Sequence, residues 1–89
     1  MYQARIYITL KPTENDPQGK TVLSSLHRLG FNNAEDVRVG KYLLVNVSES
    51  DRETAAASVT DMCQKLLTNP VIEEFQFDLE EISSTATDP

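Results

Sequence analysis

The chain has 89 residues, 14 acidic and 8 basic side chains, a formal net charge of −6 and one cysteine. That length allows a single small domain near the lower end of what folds alone, so partner chains are expected. One cysteine excludes an intramolecular disulfide framework and offers no metal-ligand spacing, which suits a reducing, cytoplasmic compartment. No charged leader ahead of an apolar stretch and no 18-residue apolar run signals secretion or a membrane span.

The negative excess is C-terminal. Residues 1–72 hold eight acids and eight bases, after which Glu73, Glu74, Asp78, Glu80, Glu81 and Asp88 add six acids without a base. Such an end argues against nucleic acid as the main ligand, because Lys and Arg contacts to phosphate supply most of that affinity. A solvated strand face followed by a frayed tail is the ordinary reading of the acids.

Tyr2, Ala4, Ile6, Ile8 and Leu10 alternate with Gln3, Arg5, Tyr7, Thr9 and Lys11, the period-two pattern of a strand with one buried face. Pro12 removes a ladder donor and ends it. Asp16 followed by Pro17 reads as an N-cap and a first helical residue, and Val22, Leu26 and Leu29 form a stripe up to Gly30 as the left-handed C′ residue, with Phe31 behind it. Gly19 in the first turn costs up to about 1 kcal/mol relative to alanine, which suggests a close backbone approach.

Asp36 to Val47 is the organising stretch, with Val37, Val39, Leu43, Val45 and Val47 on one parity interrupted by Lys41. Gly40 within it marks either a hairpin turn or a bulge in one bent strand. Ser50 with Glu53 forms a capping box for a second helix, whose stripe is Ala55, Ala56, Val59, Met62, Cys63, Leu66 and Leu67. Burial of Met62, Leu66 and Leu67 would contribute roughly 1.5–3 kcal/mol each. After Asn69 and Pro70, Phe75, Phe77 and Leu79 alternate with Gln76, Asp78 and Glu80 as a last strand. The order β-α-β(β)-α-β predicts an α+β two-layer sandwich of ferredoxin-like shape, an antiparallel sheet with two helices on one face. The domain is expected to span 1–82, with 83–89 a disordered polar tail. Tyr7, Tyr42 and Leu44 fall on the other sheet face, where a subunit contact is expected.

The chemical inventory is thin. Cys63 sits on an apolar stripe, where a free cysteine behaves as a small hydrophobe. His27 has no glycine-rich elbow or acid in sequence reach and reads as a helix-end residue. Gly19-Lys20-Thr21 lacks the upstream glycine of a phosphate loop. Glu73 and Glu74 point to opposite faces of a strand and cannot share a proton. Two polar clusters remain. Asp16, Gln18, Gly19 and Lys20 at the helix entry could hold an anion or a partner's backbone, or simply cap the helix. Arg38, Gly40 and Lys41 form a cationic corner or a solvated turn.

DPQGK at Asp16–Lys20, DVRVGKY at Asp36–Tyr42 and M-C-x-x-L-L-x-N-P-V-I-E at Met62–Glu73 together resemble PurS, the small-subunit family of formylglycinamide ribonucleotide amidotransferase (phosphoribosylformylglycinamidine synthase). The resemblance covers 1–82 in order; Asn15, where an apolar residue is expected, departs from it. It implies a small α+β subunit without catalytic, cofactor or metal residues. As a homodimer or tetramer, such a subunit bridges a PurL-type synthetase, which uses ATP and Mg, and a PurQ-type glutaminase in de novo purine synthesis. It also implies that Asp16, Gln18, Gly19, Lys20, Arg38, Gly40 and Lys41 serve assembly, in a cytoplasmic complex with no nucleic-acid or membrane partner. The alternative is a ferredoxin-like regulatory domain that binds a small molecule near Gly19 and Gly40.

Overall fold

The computed structural model describes residues 1–82; the expected tail, 83–89, lies outside them. In chain order the elements are β1 (Tyr2–Leu10), α1 (Pro17–Arg28), β2 (Gly40–Val47), α2 (Arg52–Met62), a π-helical turn (Cys63–Leu67) and β3 (Glu73–Glu81). This is the expected α+β order with one strand, not two, between the helices.

β1 has the most regular alternation and takes the middle of a three-stranded antiparallel sheet, β2-β1-β3. Opposed residues in such a sheet share a face. Ile6 therefore lies between Leu43 and Phe77, and Ala4 between Val45 and Leu79, so the two central apolar positions of β1 are each flanked by two more. Against this face α2 lays Ala55 and Val59, and the π turn adds Cys63, all fully buried. Burial pushes the Cys63 thiol pKa up, as befits a side chain used for packing.

The two helices cover the sheet unequally. α1 has the predicted caps: Asp16 accepts a hydrogen bond from the Gly19 amide at 2.9 Å, and at the other end the Gly30 amide donates to His27 O and the Phe31 amide to Leu26 O. That double bond is the Schellman geometry, with Gly30 at φ 98°. Yet α1 gives no residue to the core cluster, and Leu29 remains 75% exposed.

Three expectations change. Gly40 is neither a hairpin turn nor a bulge; it is the first residue of β2, opposite Thr9. A Cβ there would lie 2.6 Å from Ile8 O, so the glycine admits close pairing at the strand's entry. Val37 and Val39 precede the strand because β1 offers only Leu10 beyond Thr9 and the Val39 amide is taken by Asp16. The second helix is capped by Asp51, whose carboxylate accepts from the Thr54 amide at 3.0 Å, and not by Ser50.

The third change concerns Leu66, which is 83% exposed although a regular helix would carry it inward with Val59 and Cys63. The π turn is the cause. The Thr68 amide donates to Cys63 O across five residues, one more than an α-turn holds, so Leu67 is half buried and Thr68 is brought inward in place of Leu66. Thr68 is 7% exposed and its hydroxyl finds no partner among the described residues.

Replacing Ile6 by alanine should lower unfolding stability by about 2–5 kcal/mol. Leu66→Ala should stay within about 0.5 kcal/mol of the parent. Urea titration of both variants checks the pair; a loss at Leu66 matching that at Ile6 would contradict the inward-outward assignment.

Candidate functional site

The site is built where the entry of α1 meets the chain ahead of β2. Pro17 presets the first helical φ and its missing N–H leaves nothing unsatisfied, while the Asp16 side chain turns back over the helix end. One carboxylate oxygen accepts from the Gly19 amide at 2.9 Å and the other from the Val39 amide at 2.7 Å. Asp16 is buried, 4% exposed, and the two amides, Gly19 first and Val39 next, hold its carboxyl below the usual carboxylate range. A single side chain thus caps a helix and fastens the segment that leads into β2.

Gly19 makes that fastening possible. A Cβ at this position would stand 2.0 Å from Val37 O, far inside contact distance, so the helix and the segment touch backbone to backbone. Arg38 completes the tie from the other side, donating to Glu14 O and Lys11 O at 3.0 Å each. The residue read as a free cation in a turn therefore grips the β1–α1 loop.

Lys41 and Glu73 explain each other. Each breaks the apolar parity of its strand, Lys41 below Leu43, Val45 and Val47, and Glu73 below Phe75, Phe77 and Leu79. They stand on opposite sides of β1 on the core face, and their charged ends come within 3.7 Å. The other Glu73 oxygen accepts from the Asn69 amide at 2.7 Å, and the Glu73 amide donates back to Asn69 O at 2.7 Å. Ion pairs of this partly exposed kind contribute about 0–1 kcal/mol, so this one closes the end of the core more than it stabilises it.

Asp16, Gln18, Gly40 and Lys41 consequently converge with Glu73 on one cleft of about 200 Å³. Lys20 and Arg38 do not line it; Lys20 points to solvent, and Arg38 lies in a neighbouring depression beside Asp36 and Glu74. Glu73 was missed by sequence reasoning, although its shared parity with three apolar residues was the available signal. His27 lies elsewhere, its Nε2 2.7 Å from Ala34 O across the helix-end turn. Among the described residues no group of three or more His, Cys, Asp or Glu side chains could hold a metal.

Gly19→Ala should destabilise by about 1–3 kcal/mol through overpacking, although alanine is the better helix former; a stabilised variant in thermal unfolding would contradict the close approach. For Asp16, a depressed folded pKa means that its contribution is present above the unfolded value and is lost as pH falls through the folded one. Asp16→Asn should therefore be less stable than the parent at pH 7, with the gap closing as pH drops below about 5. A gap that is constant from pH 7 to the acid limit would refute the assignment. Asp51, lowered mainly by the Thr54 amide, titrates in the same sense in both proteins and cancels.

Comparison with known proteins places this geometry. Residues 3–81 match the family model PurS, phosphoribosylformylglycinamidine (FGAM) synthase. The phosphoribosylformylglycinamidine synthase subunit PurS of Bacillus subtilis is 42% identical over 82 residues, covering 92% of this chain and 96% of the relative. The crystal structure of Methanocaldococcus jannaschii PurS, 37% identical, superposes with a TM-score of 0.84 over 93% of this chain and 100% of that one. A chain in the structure of PurLQS from Thermotoga maritima, 26% identical, gives 0.82 over 89% and 96%. With a family model spanning nearly all the described residues and relatives of this identity, the chain belongs to the PurS family of phosphoribosylformylglycinamidine synthase subunits.

Proposed function

We propose that this chain is the non-catalytic assembly subunit of phosphoribosylformylglycinamidine synthase. It bridges a synthetase and a glutaminase so that ammonia released from glutamine converts formylglycinamide ribonucleotide to the amidine, with ATP and Mg used by the synthetase. The match to PurS across residues 3–81 carries this reading, and the likeness to a chain of PurLQS supports it. The physical need is plain: ammonia released into water at neutral pH takes up a proton and ceases to be a nucleophile, so the two active sites must be joined by a shielded path. A rigid adaptor serves that end without reactive groups of its own.

We further propose a cytoplasmic complex in which the chain is a homodimer. No helix among the described residues is long and apolar enough to cross a membrane, and Tyr7, Tyr42 and Leu44, all exposed and with the two tyrosine rings stacked 5.2 Å apart, form an outward apolar group of the kind that marks a subunit contact. Gln18 and Lys41 at the cleft, and Lys20 outside it, are the outward side chains that would contact a partner. Asp16, Gly19, Arg38 and Gly40 act indirectly, by giving that rim its shape.

Synthetase and glutaminase together should form the amidine from glutamine only when this chain is added. Equal glutamine-dependent turnover without it would overturn the assembly role. Lys41→Glu should weaken the complex roughly 3–10-fold while leaving the unfolding midpoint nearly unchanged, because an exposed ion pair contributes so little to folding. Unchanged affinity would remove the cleft, and not the subunit, from the interface.

A further inference from the structure

The cleft at the end of the sheet has an apolar floor between two opposite charges. Ile8 and Leu10 of β1 supply the floor together with Val39. Lys41 stands beside Ile8 on one flank and Glu73 beside Leu10 on the other, and Gln18, in the first turn of α1, lines the same space.

Its polar groups are unequally matched. Asp16 is fully engaged, with one oxygen on the Gly19 amide and the other on the Val39 amide. Glu73 is not. One of its oxygens accepts from the Asn69 amide at 2.7 Å, whereas the other has only the Lys41 ammonium at 3.7 Å, roughly 1 Å longer than a charge-assisted N–H···O bond. The Glu73 side chain is 18% exposed, and a carboxylate so far withdrawn from water gains most from a close donor. Lys41 and Glu73 thus face each other across a gap that neither closes. Among the described residues no hydrogen bond engages the exposed Gln18 carboxamide.

We propose that the cleft binds a small free α-amino acid with an apolar side chain. The ligand ammonium donates to the second Glu73 oxygen, the ligand carboxylate accepts from Lys41 and from the Gln18 carboxamide, and the ligand side chain lies on Ile8, Leu10 and Val39. Two opposite charges on the ligand match two opposite charges fixed on the protein; an anion alone would meet Glu73, and an amine alone would meet Lys41. A volume of about 200 Å³ lies below the roughly 300–1,000 Å³ of drug-sized sites, which suits an amino acid and excludes a nucleotide. The inference needs only the cleft and stands apart from the assembly role, yet it bears on it. Gln18 and Lys41 are also side chains proposed to meet a partner, so an occupied cleft offers that partner a rim whose charges are already paired.

Titration of the isotope-labelled full chain with L-leucine, followed by heteronuclear NMR, tests the proposal. Saturable shifts should appear at the Gln18 carboxamide and at the Val39 and Gly40 amides, with a dissociation constant of about millimolar size. Isocaproate, which lacks the ammonium, and isoamylamine, which lacks the carboxylate, should each bind at least about 10-fold more weakly. Glu73→Gln keeps an oxygen for the Asn69 amide and loses the charge, while Lys41→Met alters an exposed strand position. Both variants should retain the parent spectrum away from the cleft and lose at least about 10-fold in leucine affinity. Equal binding of leucine and its two singly charged analogues would overturn the proposal, as would undiminished affinity in both variants. The absence of saturable cleft shifts up to about 10 mM leucine would do the same. Each of these failures leaves the assembly role standing, since reconstitution with synthetase and glutaminase decides that separately.

Discussion

One buried carboxylate holds the two halves of the molecule in relation. Asp16 receives the Gly19 amide from α1 and the Val39 amide from the segment before β2, and the helix can come that near only because residue 19 lacks a side chain. Remove either feature and α1 loses its principal anchor, since it sends nothing into the core between sheet and α2. An amphipathic helix usually owes its place to its apolar stripe; here α1 owes it to hydrogen bonds at its entry. The stripe is thereby left free for contact with other chains.

This division suits an adaptor. The sheet and α2 form a self-sufficient body, with Ala4, Ile6, Val59 and Cys63 sealed from solvent. Around it lie features that a solitary protein would be expected to avoid: the outward Tyr7–Tyr42 stack, with ring centroids 5.2 Å apart, an exposed Leu44 on β2, and exposed Val22 and Leu29 on α1 and at its end. Charge is uneven in the same spirit, with five acids gathered along β3. Like-charged surfaces repel and unlike ones guide encounter, so this unevenness influences which side of the molecule meets which neighbour.

Much of the architecture was legible in the residues. The alternation of β1, the Asp16-Pro17 start, the Gly30 stop and the acidic alternation of β3 are local signals, and local hydrogen bonding and burial obey them. Gly19 was legible as a cost without a visible reason; the reason, Val37 O, lies across the fold. What could not be read depended on distant partners. Arg38 looked like a solvated turn cation because the carbonyls it binds belong to a loop more than 20 residues away. The parity defects at Lys41 and Glu73 were each visible, but only the sheet order, with β1 between them, makes them a pair. Ser50 and Asp51 are both good caps, and one residue of helix phase decided between them.

The widened turn after α2 exchanges an oily side chain for a hydroxyl at the same depth. A regular continuation would have hidden Leu66 and shown Thr68 to water; instead Leu66 is bare and the Thr68 oxygen is sealed in without a partner among the described residues. An orphaned hydroxyl of this kind costs about 1–3 kcal/mol, and the exposed leucine gains nothing in return. Thermal opening should therefore begin at the exit of α2, so that the stretch delivering the chain into β3 is the first to loosen while the three strands still hold.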